Sequence, residues 1–414
     1  MKILITTDSY YPQVNGASVF GQRLAAGLRD RGHDVMVVAP ATSVRSGYHE
    51  VAGVKVFGVR SVPVFIYKGM RIVVPVEIER TTLKVVQDFQ PDVIHVQGHF
   101  PVSEAVIRNA KKAGIPVVGT NHFMPENLTH YAHLPASLDA RLRRRLWRKF
   151  RRVYEDLDQV TTPTRTAAEY MKRNGFSREI KVISNGIDLE RFCPGKSDDE
   201  FKSAYRLPQV PLLLYVGRLD KEKNLDLVLR AVGRLPGRIP MHFVIAGTGA
   251  QRERLERQAG RLGLDGRVTF LGFVPDADLP ALYRAAHCFV MAGTAELQSI
   301  ATMEAMASGL PVLAVDAMAL PELAHDAENA YLFKQGDPEG LSQRMQALFT
   351  DPALHRRMAA NSLEIIQKHA LARTLEEFEA VYEDVGMRRR AQPAGHDPTP
   401  PTSYRKSMMS SRMG

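Results

Sequence analysis

Short runs of β-branched and apolar residues alternate with stretches of helical period along most of the chain. The first run reads "KILITTD", and a predicted helix over about 17–31 separates it from "DVMVVAP". The alternation returns in "DVIHVQ", a predicted helix over 102–113, "PVVGTNH" and "KVISNG". Strands that alternate with helices favour a mainly parallel sheet that is covered on both faces.

The alternation is interrupted once, near residue 190, and then resumes. The interruption, "RFCPGKSDDEFKSAYRLPQVP", is polar and contains proline, and the pattern restarts with "LLLYVGR", a helix from about Asn224 and "HFVIAG". A chain of 414 residues also exceeds what one hydrophobic core normally holds. We therefore predict an α/β protein with two Rossmann-like, doubly wound domains that face each other across a cleft. The predicted divisions are 1–193, 194–370, a helix over 371–386 that can cross back to the first domain, and a disordered basic tail over 387–414.

Charge and cysteine content narrow the partners and the compartment. The net charge is +10, which favours an anionic partner such as a nucleotide, a phospholipid or a nucleic acid. No apolar run approaches the ~20 residues that span a bilayer, and the N-terminus is expected to be a buried strand rather than a secretory signal. The two cysteines, Cys193 and Cys288, form no disulfide framework, which is typical of a reducing cytoplasm.

Ligands of open α/β sheets bind at the carboxyl ends of the strands, so the residues that follow each strand are the first candidates. Gly16 stands just before a helix, where glycine lets the backbone approach a ligand and the helix N-terminus favours an anion. The alternative is a tight turn. Arg218 and Lys223 follow a strand of the second domain and are suited to hold a diphosphate. The alternative is a solvated charge pair with Asp220 and Glu222.

Two further strand ends carry weaker signals. The segment "AGTGAQRERLE" holds Gly247 and Gly249, but an arginine stands where a dinucleotide fingerprint has its third glycine, which argues against a nicotinamide enzyme. The two glycines suit a loop that a nucleotide base approaches closely. His122 ends "PVVGTNH" and either contacts a polar substrate or is a structural histidine. His95 and His99 are weaker candidates.

Two glutamates stand in the nearly uncharged stretch "AELQSIATMEAMASGLPVLA". A predicted helix over about 299–308, which ends at Gly309, puts Glu296 in the preceding loop and Glu304 in the second turn. The free N–H groups at such a helix start suit a phosphate, one carboxylate suits sugar hydroxyls, and the other suits ribose hydroxyls. The arrangement is therefore typical of a sugar-nucleotide site. Alternatively, Glu296 decorates a loop and Glu304 caps a buried polar group.

The spacing Glu296-x7-Glu304, together with Arg218, Lys223 and the "SNGID" linker, resembles the retaining glycosyltransferases of family 4, which have the GT-B fold. The resemblance covers nearly the whole chain to about residue 386. The segments "YYPQVNGAS" and "NHF" lie where the family has its acceptor-side loop and histidine. The family often has E-G-F-G where this chain has "ELQS", which leaves the identity of the donor sugar open.

The resemblance implies a role for each candidate residue. Gly16 approaches the donor phosphates, and His122 contacts the transferred sugar. Glu296 holds the sugar hydroxyls near C3 and C4, Glu304 holds the ribose, and two cations stabilise the leaving diphosphate, so the family usually needs no metal. The implied catalytic and donor-binding residues are Gly16, His122, Arg218, Lys223, Gly247, Gly249, Glu296, Ser299, Ile300 and Glu304.

The reaction chemistry is consistent with this set of residues. Cleavage of a sugar–phosphate bond leaves an oxocarbenium-like sugar and a charged diphosphate, whose growing charge preorganised cations stabilise. The chain offers no convincing carboxylate nucleophile of the kind that retaining glycosidases use. Retention is therefore expected from attack on the face that the diphosphate leaves, with a diphosphate oxygen receiving the acceptor's proton.

The segment "LDARLRRRLWRKFRRVYEDL" is the main indication of the acceptor. Eight of the twelve residues over 141–152 are basic, and the single tryptophan stands beside an apolar stripe of helical period. The stripe is Leu138, Leu142, Leu146, Phe150 and Val153. A basic amphipathic helix with tryptophan is typical of a membrane-surface element. The predicted contact residues are Arg143, Arg144, Trp147, Arg148 and Arg151. The alternative is a stripe that packs on the N-terminal domain while the arginines stay in water.

The sequence therefore predicts a hexosyltransferase with a nucleotide-sugar donor, UDP-glucose as the first choice, and a membrane lipid such as diacylglycerol as acceptor. Within the family, "PQVNG" and the basic helix are similar to bacterial enzymes that glycosylate membrane lipids, which act at the cytoplasmic face. A soluble acceptor, a GDP-mannose-dependent mannosyltransferase and a non-catalytic sugar-nucleotide sensor stay open. A nucleic-acid-binding protein is disfavoured because the arginine helix lacks interleaved aromatic residues. The sequence predicts no oligomeric state.

Overall fold

The computed structural model describes residues 1–13, 15–63, 71–75, 77–125, 135–195 and 199–391. Within these ranges, strands and helices alternate as the sequence predicts, and they form two large sheets. Residues 392–414 of the predicted tail lie outside the described residues.

The N-terminal sheet has eight strands, and a separate antiparallel pair, β5 and β6, lies beside it. The ten strands are β1 (Lys2–Thr6), β2 (Asp34–Pro40), β3 (Gly47–Val51), β4 (Val54–Val59), β5 (Ser61–Pro63), β6 (Arg71–Val73), β7 (Val93–Val96), β8 (Val117–Thr120), β9 (Gln159–Thr162) and β10 (Ile180–Val182). The order in the sheet is β10-β9-β8-β7-β1-β2-β4-β3, and only the edge strand β3 runs antiparallel to its neighbour. Its central strands are buried on both faces, which explains their continuous apolar runs.

Five helices of the described N-terminal half cover this sheet, and the first begins at a well-formed cap. They are α1 (Gly16–Asp30), α2 (Ile78–Phe89), α3 (Pro101–Ala113), α4 (Ala136–Tyr154) and α5 (Arg165–Arg173). The side chain of Asn15 accepts a hydrogen bond from the Ser18 N–H at 3.0 Å, which satisfies one of the free donors at the start of α1. Phe20, Leu24 and Leu28 then form the buried face of α1, so this helix is fixed on the sheet directly after β1.

The C-terminal sheet has six parallel strands in the order β13-β12-β11-β14-β15-β16. They are β11 (Leu212–Val216), β12 (His242–Ala246), β13 (Val268–Gly272), β14 (Cys288–Met291), β15 (Val312–Val315) and β16 (Ala330–Phe333). The helices of this half are α6 (Asp199–Ala204), α7 (Leu225–Arg234), α8 (Arg252–Arg261), α9 (Leu279–Ala285), α10 (Ile300–Ala307), α11 (Pro338–Thr350) and α12 (Pro352–Ile366). Both sheets reverse their winding direction once, at β1/β7 and at β11/β14, and ligands of doubly wound sheets bind outside such switch points.

The last described helix, α13 (Leu371–Ala391), returns to the N-terminal sheet. Phe378 and Tyr382 of α13 are buried in one core with Ile5 and Phe20. The Tyr382 hydroxyl also lies 2.6 Å from Nδ1 of the buried His95. The N-terminal core is therefore completed by residues from the far end of the chain.

The prediction of a disordered tail from residue 387 is wrong for residues 387–391, which continue α13. Arg388 forms an ion pair with Asp384 one turn earlier, and Arg389 lies 3.2 Å from Asp158 of the N-terminal domain. These carboxylates neutralise the basic run and let the helix continue.

His99 is fully buried among aromatic rings just after β7. Its ring centroid lies 4.4 Å from that of Phe100, 4.5 Å from that of Phe123 and 5.3 Å from that of Phe150. Neither ring nitrogen has a hydrogen-bond partner among the described residues. Burial, together with the charge of Lys149, lowers the pKa of His99 to about 3. The imidazole is therefore neutral in the folded protein.

Replacing His99 with phenylalanine is expected to weaken the loss of stability in acid. An unfolded histidine has a pKa near 6.5, so between about pH 6.5 and the folded pKa the unfolded chain binds the extra proton and stability falls as pH falls. From about pH 7.5 to about pH 5.5, His99 accounts for about 1.4 kcal/mol of this loss. Urea unfolding followed by the fluorescence of Trp147, the single tryptophan, measures it. His49→Asn, at an exposed position, is the control. An unchanged pH slope in His99→Phe contradicts the expectation.

Candidate functional site

The loop after β11 holds a guanidinium between two buried carboxylates. Arg218 forms an ion pair with Asp220, and its Nη2 lies 3.0 Å from Oε1 of Glu222. The two carboxylate side chains are 5% and 2% exposed, whereas the arginine side chain is 32% exposed. The ion pairs of the alternative interpretation are therefore present for Arg218, but their carboxylates are buried and not solvated. The two carboxylates hold the Arg218 guanidinium in place, and part of the arginine side chain stays exposed at the switch point.

Lys223 and Glu296 meet at the same switch point, from the loops after β11 and β14. The Lys223 Nζ lies 2.5 Å from Oε1 of Glu296, and both side chains are mostly buried. A side chain at Gly293 would come within 2.9 Å of the same carboxylate oxygen, so the absence of a Cβ there leaves room for the pair. Two of the predicted site residues are thus brought into direct contact, beside Arg218.

Glu304 lies in the second turn of α10, as predicted, and contacts both domains. Its Oε1 lies 2.5 Å from Nη2 of Arg23 on α1, and its Oε2 accepts a hydrogen bond from the Tyr283 hydroxyl at 2.9 Å. Burial and the neighbouring carboxylate raise the pKa of Tyr283, so this phenol keeps its proton and donates it. The sequence pattern alone does not distinguish a carboxylate that binds a ligand from one that is bonded within the protein. Glu304 is bonded by two protein side chains, Arg23 and Tyr283.

The start of α10 faces the start of α1 across the cleft. Ser299 caps α10, since its Oγ accepts from the Thr302 N–H at 3.3 Å. A Cβ at Gly16 would lie 4.0 Å from Cδ1 of Ile300, an ordinary van der Waals distance, so these two predicted residues meet where the two domains contact each other. Two helix N-termini, each favouring negative charge, therefore approach the cleft from the two domains.

Gly247 and Gly249 join the loops that follow β11 and β12. A Cβ at Gly247 would lie 1.8 Å from the Gly217 carbonyl oxygen, and one at Gly249 would lie 2.5 Å from the Leu219 nitrogen. Without side chains the loops approach closely enough for the Leu219 N–H to bond the Thr248 carbonyl at 2.9 Å. The glycines thus support the loop that carries the guanidinium, which is a role that the spacing did not predict.

His122 follows β8 at the N-terminal side of the cleft. Its ring centroid lies 4.6 Å from that of Phe20, and its Nε2 is buried without a hydrogen-bond partner among the described residues. Burial lowers the pKa of His122 to about 3, so the neutral imidazole can donate or accept a hydrogen bond but carries no charge near neutral pH. His95, by contrast, bonds both Tyr382 and Thr120 and is structural.

Two family models match the chain, one for each domain. The model described as Glycosyltransferase Family 4 matches residues 14–191, and the model described as Glycosyl transferases group 1 matches residues 197–364. The matches meet at the interruption between the two sheets. The chain belongs to the family 4 glycosyltransferases.

The sequence of this glycosyltransferase is similar over most of its length to those of several other glycosyltransferases. It is 27% identical over 384 residues to the alpha-monoglucosyldiacylglycerol synthase of Streptococcus pneumoniae, and this alignment covers 91% of this chain and 85% of that protein. It is 27% identical over 319 residues to a GDP-mannose-dependent alpha-mannosyltransferase of Mycobacterium tuberculosis, covering 77% and 79%. The structure of Anabaena Alr3699/HepE in complex with UDP-glucose matches with a TM-score of 0.74 and 21% identity, over 93% of this chain and 100% of that one. The predicted GT-B fold is confirmed.

The basic helix α4 of the glycosyltransferase differs from its predicted orientation. Trp147 is only 4% exposed and packs with Phe150 and Tyr154 in the N-terminal core, whereas Leu138 is 47% exposed. The prediction of Trp147 as a membrane-surface residue is therefore wrong. Of the predicted stripe, Phe150 is fully buried in this core and Leu138 is exposed, so the stripe packs on the N-terminal domain only in part. Trp147 is buried because its ring packs against those of Phe150 and Tyr170.

Two of the four predicted surface arginines form an ion pair or a hydrogen bond within the protein. Arg143 lies 2.6 Å from Asp139, and Arg151 donates to the Gly175 carbonyl at 3.1 Å. Arg144 and Arg148 are exposed as predicted. The exposed basic side chains of α4 are Arg141, Arg144, Arg145, Arg148, Lys149 and Arg152.

Two residues of the site, Arg23 and Gln298, were not predicted from the sequence. Arg23 lies seven positions after Gly16 on α1, and this spacing returns to the same helix face; this signal could have found it. The carbonyl of the buried Gln298 accepts from the Asn185 N–H at 2.7 Å, and its Nε2 donates to Ser184 Oγ at 3.0 Å. The residue that departs from the family pattern thus ties the loop of Glu296 to the "SNGID" linker.

Neither a membrane-crossing helix nor a metal-binding cluster is found in the part of the chain that the structure describes. No helix there combines the length and the apolar character that a bilayer span requires. The same ranges contain no group of three or more His, Cys, Asp or Glu side chains arranged to hold a metal ion.

Proposed function

We propose that this glycosyltransferase is a retaining hexosyltransferase that moves a sugar from a nucleotide-sugar donor, UDP-glucose as the first choice, to a membrane lipid such as diacylglycerol. The observation that carries the proposal is the contact of Lys223 with Glu296 beside Arg218. It brings both cations to the switch point, where an open α/β sheet binds its ligand. Glu296 contacts Lys223 there, and the buried Asp220 and Glu222 hold Arg218. The similarity to the alpha-monoglucosyldiacylglycerol synthase supports the lipid acceptor.

Each part of the donor has a proposed partner. Arg218 and Lys223 compensate the charge of the diphosphate, and the N-termini of α1 and α10 offer free backbone N–H groups to its oxygens. Glu296 accepts from the sugar hydroxyls, and Glu304 accepts from the ribose hydroxyls. His122 supplies a neutral imidazole to the transferred sugar. The loop at Gly247 and Gly249 lies beneath the base. The proposal invokes no metal ion or other cofactor.

The reaction proceeds by departure of the diphosphate and attack on the same face of the sugar. As the sugar–phosphate bond breaks, negative charge grows on the diphosphate oxygen, and the two cations stabilise it. This oxygen then receives the proton of the acceptor hydroxyl while the new glycosidic bond forms. Because leaving and attacking groups share one face, the anomeric configuration is retained.

A product screen tests the donor and the acceptor together. The purified protein is incubated with each of several nucleotide sugars and with either diacylglycerol in anionic vesicles or soluble sugars, and products are read by mass. We expect a hexosyl-diacylglycerol from UDP-glucose, with retained anomeric configuration by nuclear magnetic resonance. Transfer only to soluble acceptors contradicts the lipid acceptor. Donor binding without any transfer or hydrolysis indicates a sensor and contradicts the enzyme reaction proposed.

A GDP-mannose donor is the second candidate. The 27% identity to a GDP-mannose-dependent alpha-mannosyltransferase favours it. The same screen distinguishes the two, because the donors differ in both base and sugar.

The lipid acceptor implies that the enzyme works at a membrane surface, and α4 is the proposed contact. Its six exposed basic side chains form a cationic surface on the N-terminal domain. Each basic residue near an anionic membrane contributes about 1 kcal/mol. The proposed contact is electrostatic, since the tryptophan of this helix is buried.

Removing the exposed charge of α4 is expected to abolish flotation with anionic liposomes. The variant carries glutamine at Arg141, Arg144, Arg145 and Arg148, which are exposed. Loss of four charges lowers partitioning by more than about a hundredfold, and raised salt has the same effect on the wild type because it screens the surface potential. Hydrolysis of the soluble donor survives. The control variant carries glutamine at the exposed residues Arg238, Arg254, Arg257 and Arg261 of the other domain. If the wild-type protein does not float with anionic liposomes at low salt, the proposed membrane contact is contradicted.

A further inference from the structure

The carboxylate of Glu304 is bonded by residues from both domains. Arg23 of the N-terminal domain approaches Oε1 with one nitrogen only, at 2.5 Å, and the Tyr283 hydroxyl of the C-terminal domain bonds Oε2 at 2.9 Å. The side chains of the ion pair are 13% and 6% exposed. A pair this buried is held in one geometry, because its separation would leave an uncompensated charge away from water.

Two acceptor positions of the Glu304 carboxylate are not used by these two partners. An ionised carboxylate offers about four lone-pair sites, and the arginine and the phenol take one on each oxygen. One site remains on each oxygen. Two hydroxyl groups on adjacent carbons match such a pair of acceptors, and the 2′ and 3′ hydroxyls of ribose are a pair of this kind. The internal partners therefore orient the carboxylate and leave it able to bind a diol.

Arg23 also has unused capacity of its own. Its Nη1 is buried and makes no hydrogen bond within the part of the chain that the structure describes. The guanidinium carbon lies 5.7 Å from the centre of the Phe192 ring, which supports the side chain from the linker between the domains. A buried charged N–H without an acceptor is costly, and a ligand oxygen in the cleft would satisfy it.

We propose that Arg23 is a positioning residue for the donor ribose, acting through Glu304 from the opposite domain. This inference rests on the proposed function, in which Glu304 accepts from the ribose hydroxyls. The site is then complete only while the two domains are closed on each other, since one half of the support comes from α1. Gly16 and Ile300, at the two helix starts proposed to bind the diphosphate, also lie at contact distance between the domains, so the proposed phosphate and ribose contacts both depend on the closed form.

The experiment compares nucleotides that differ only in the ribose hydroxyls. Isothermal titration measures the dissociation constants of UDP and 2′,3′-dideoxy-UDP, or of GDP and 2′,3′-dideoxy-GDP if GDP binds more tightly than UDP. The wild type is expected to favour the ribose form by about tenfold or more, the scale for two hydroxyls donating to a charged acceptor. Arg23→Gln is expected to lose most of this preference while its affinity for the dideoxy form changes little. Arg23→Lys keeps the charge without the planar fork and is expected to retain an intermediate preference.

The controls separate a positioning role from a merely structural one. The ratio of the two constants is taken within each variant, so a general loss of folded protein cancels. Arg29→Gln changes another arginine of α1, which pairs with Asp30 outside the cleft, and is expected to keep the wild-type ratio. An unchanged ratio in Arg23→Gln overturns the proposal. Tighter binding of the ribose form by Arg23→Gln also overturns it, because Arg23 would then compete with the ribose.

Failure of the proposed function gives a different result from failure of this inference. If the wild type binds neither nucleoside diphosphate, or shows no ribose preference, the donor assignment of Glu304 falls and the inference falls with it. If Glu304→Gln removes the ribose preference while Arg23→Gln keeps it, the assignment of Glu304 stands and only the role of Arg23 is overturned.

Discussion

Replacing Lys223 with alanine is expected to lower turnover by roughly 10²–10³, the loss that follows removal of one preorganised donor facing developing charge. The Lys223 ammonium contacts Glu296 at the switch point, where the diphosphate is proposed to leave. The positive charge of Lys223 is needed most when the sugar–phosphate bond breaks and negative charge grows on the diphosphate. The variant's kcat should therefore fall more than its donor affinity. Steady-state rates at saturating donor and acceptor measure the effect.

Lys221→Ala is the matched control, because Lys221 is exposed in the same short segment. Its turnover should stay near that of the wild type. Near-wild-type turnover in Lys223→Ala would remove this lysine from the reaction.

Arg218→Ala should lower turnover on the same scale, but it also changes the fold locally. Asp220 and Glu222 are buried and would lose their cation, and breaking such a pair costs about 3–5 kcal/mol. Thermal unfolding must therefore accompany the kinetics. Arg218→Lys keeps the charge without the planar fork, and a folded Arg218→Lys protein with full turnover would show that the charge alone, and not the guanidinium geometry, is needed.

The two glutamates should fail in different ways. Glu304→Ala is expected to raise the KM for the donor with a smaller change in kcat, because ribose contacts are the same before and during the reaction and contribute uniform binding. Glu296→Ala is expected to lower kcat more than donor affinity, since the sugar hydroxyls shift as the ring flattens.

Initial rates over a range of donor concentrations separate these effects, and Glu304→Gln repeats the test with the shape of the side chain kept. If Glu296→Ala raises KM alone and Glu304→Ala lowers kcat alone, the two roles are assigned the wrong way round.

The fold could be predicted from the sequence because its strands and helices have clean periods. The helix within the nearly uncharged stretch is predicted over about 299–308 and lies at Ile300–Ala307. Strand ends then gave the positions of Arg218, Lys223 and Glu296, because parallel strands bring their carboxyl ends to one edge. The hydrophobic period does not predict which residue each of these side chains contacts.

The partners depend on tertiary packing, and the errors follow from that. On α4, Leu138 and Trp147 are both large apolar side chains of one amphipathic helix, and only the surrounding core decides that the tryptophan is buried and the leucine exposed. Similarly, the ion pair of Glu304 joins residues 281 positions apart. Neither local charge nor local period indicates a contact of that range.

The return of α13 to the first sheet has a consequence for synthesis on the ribosome. The N-terminal strands are all made once residue 182 has emerged, yet the helix that fills their core begins only at residue 371. At a translation rate of roughly 5–20 residues per second, the intervening stretch takes on the order of 10–40 seconds. Throughout this delay the nascent domain exposes the apolar face that Phe378 and Tyr382 later cover. Until the last helix arrives, that exposed apolar face makes the unfinished domain prone to aggregation.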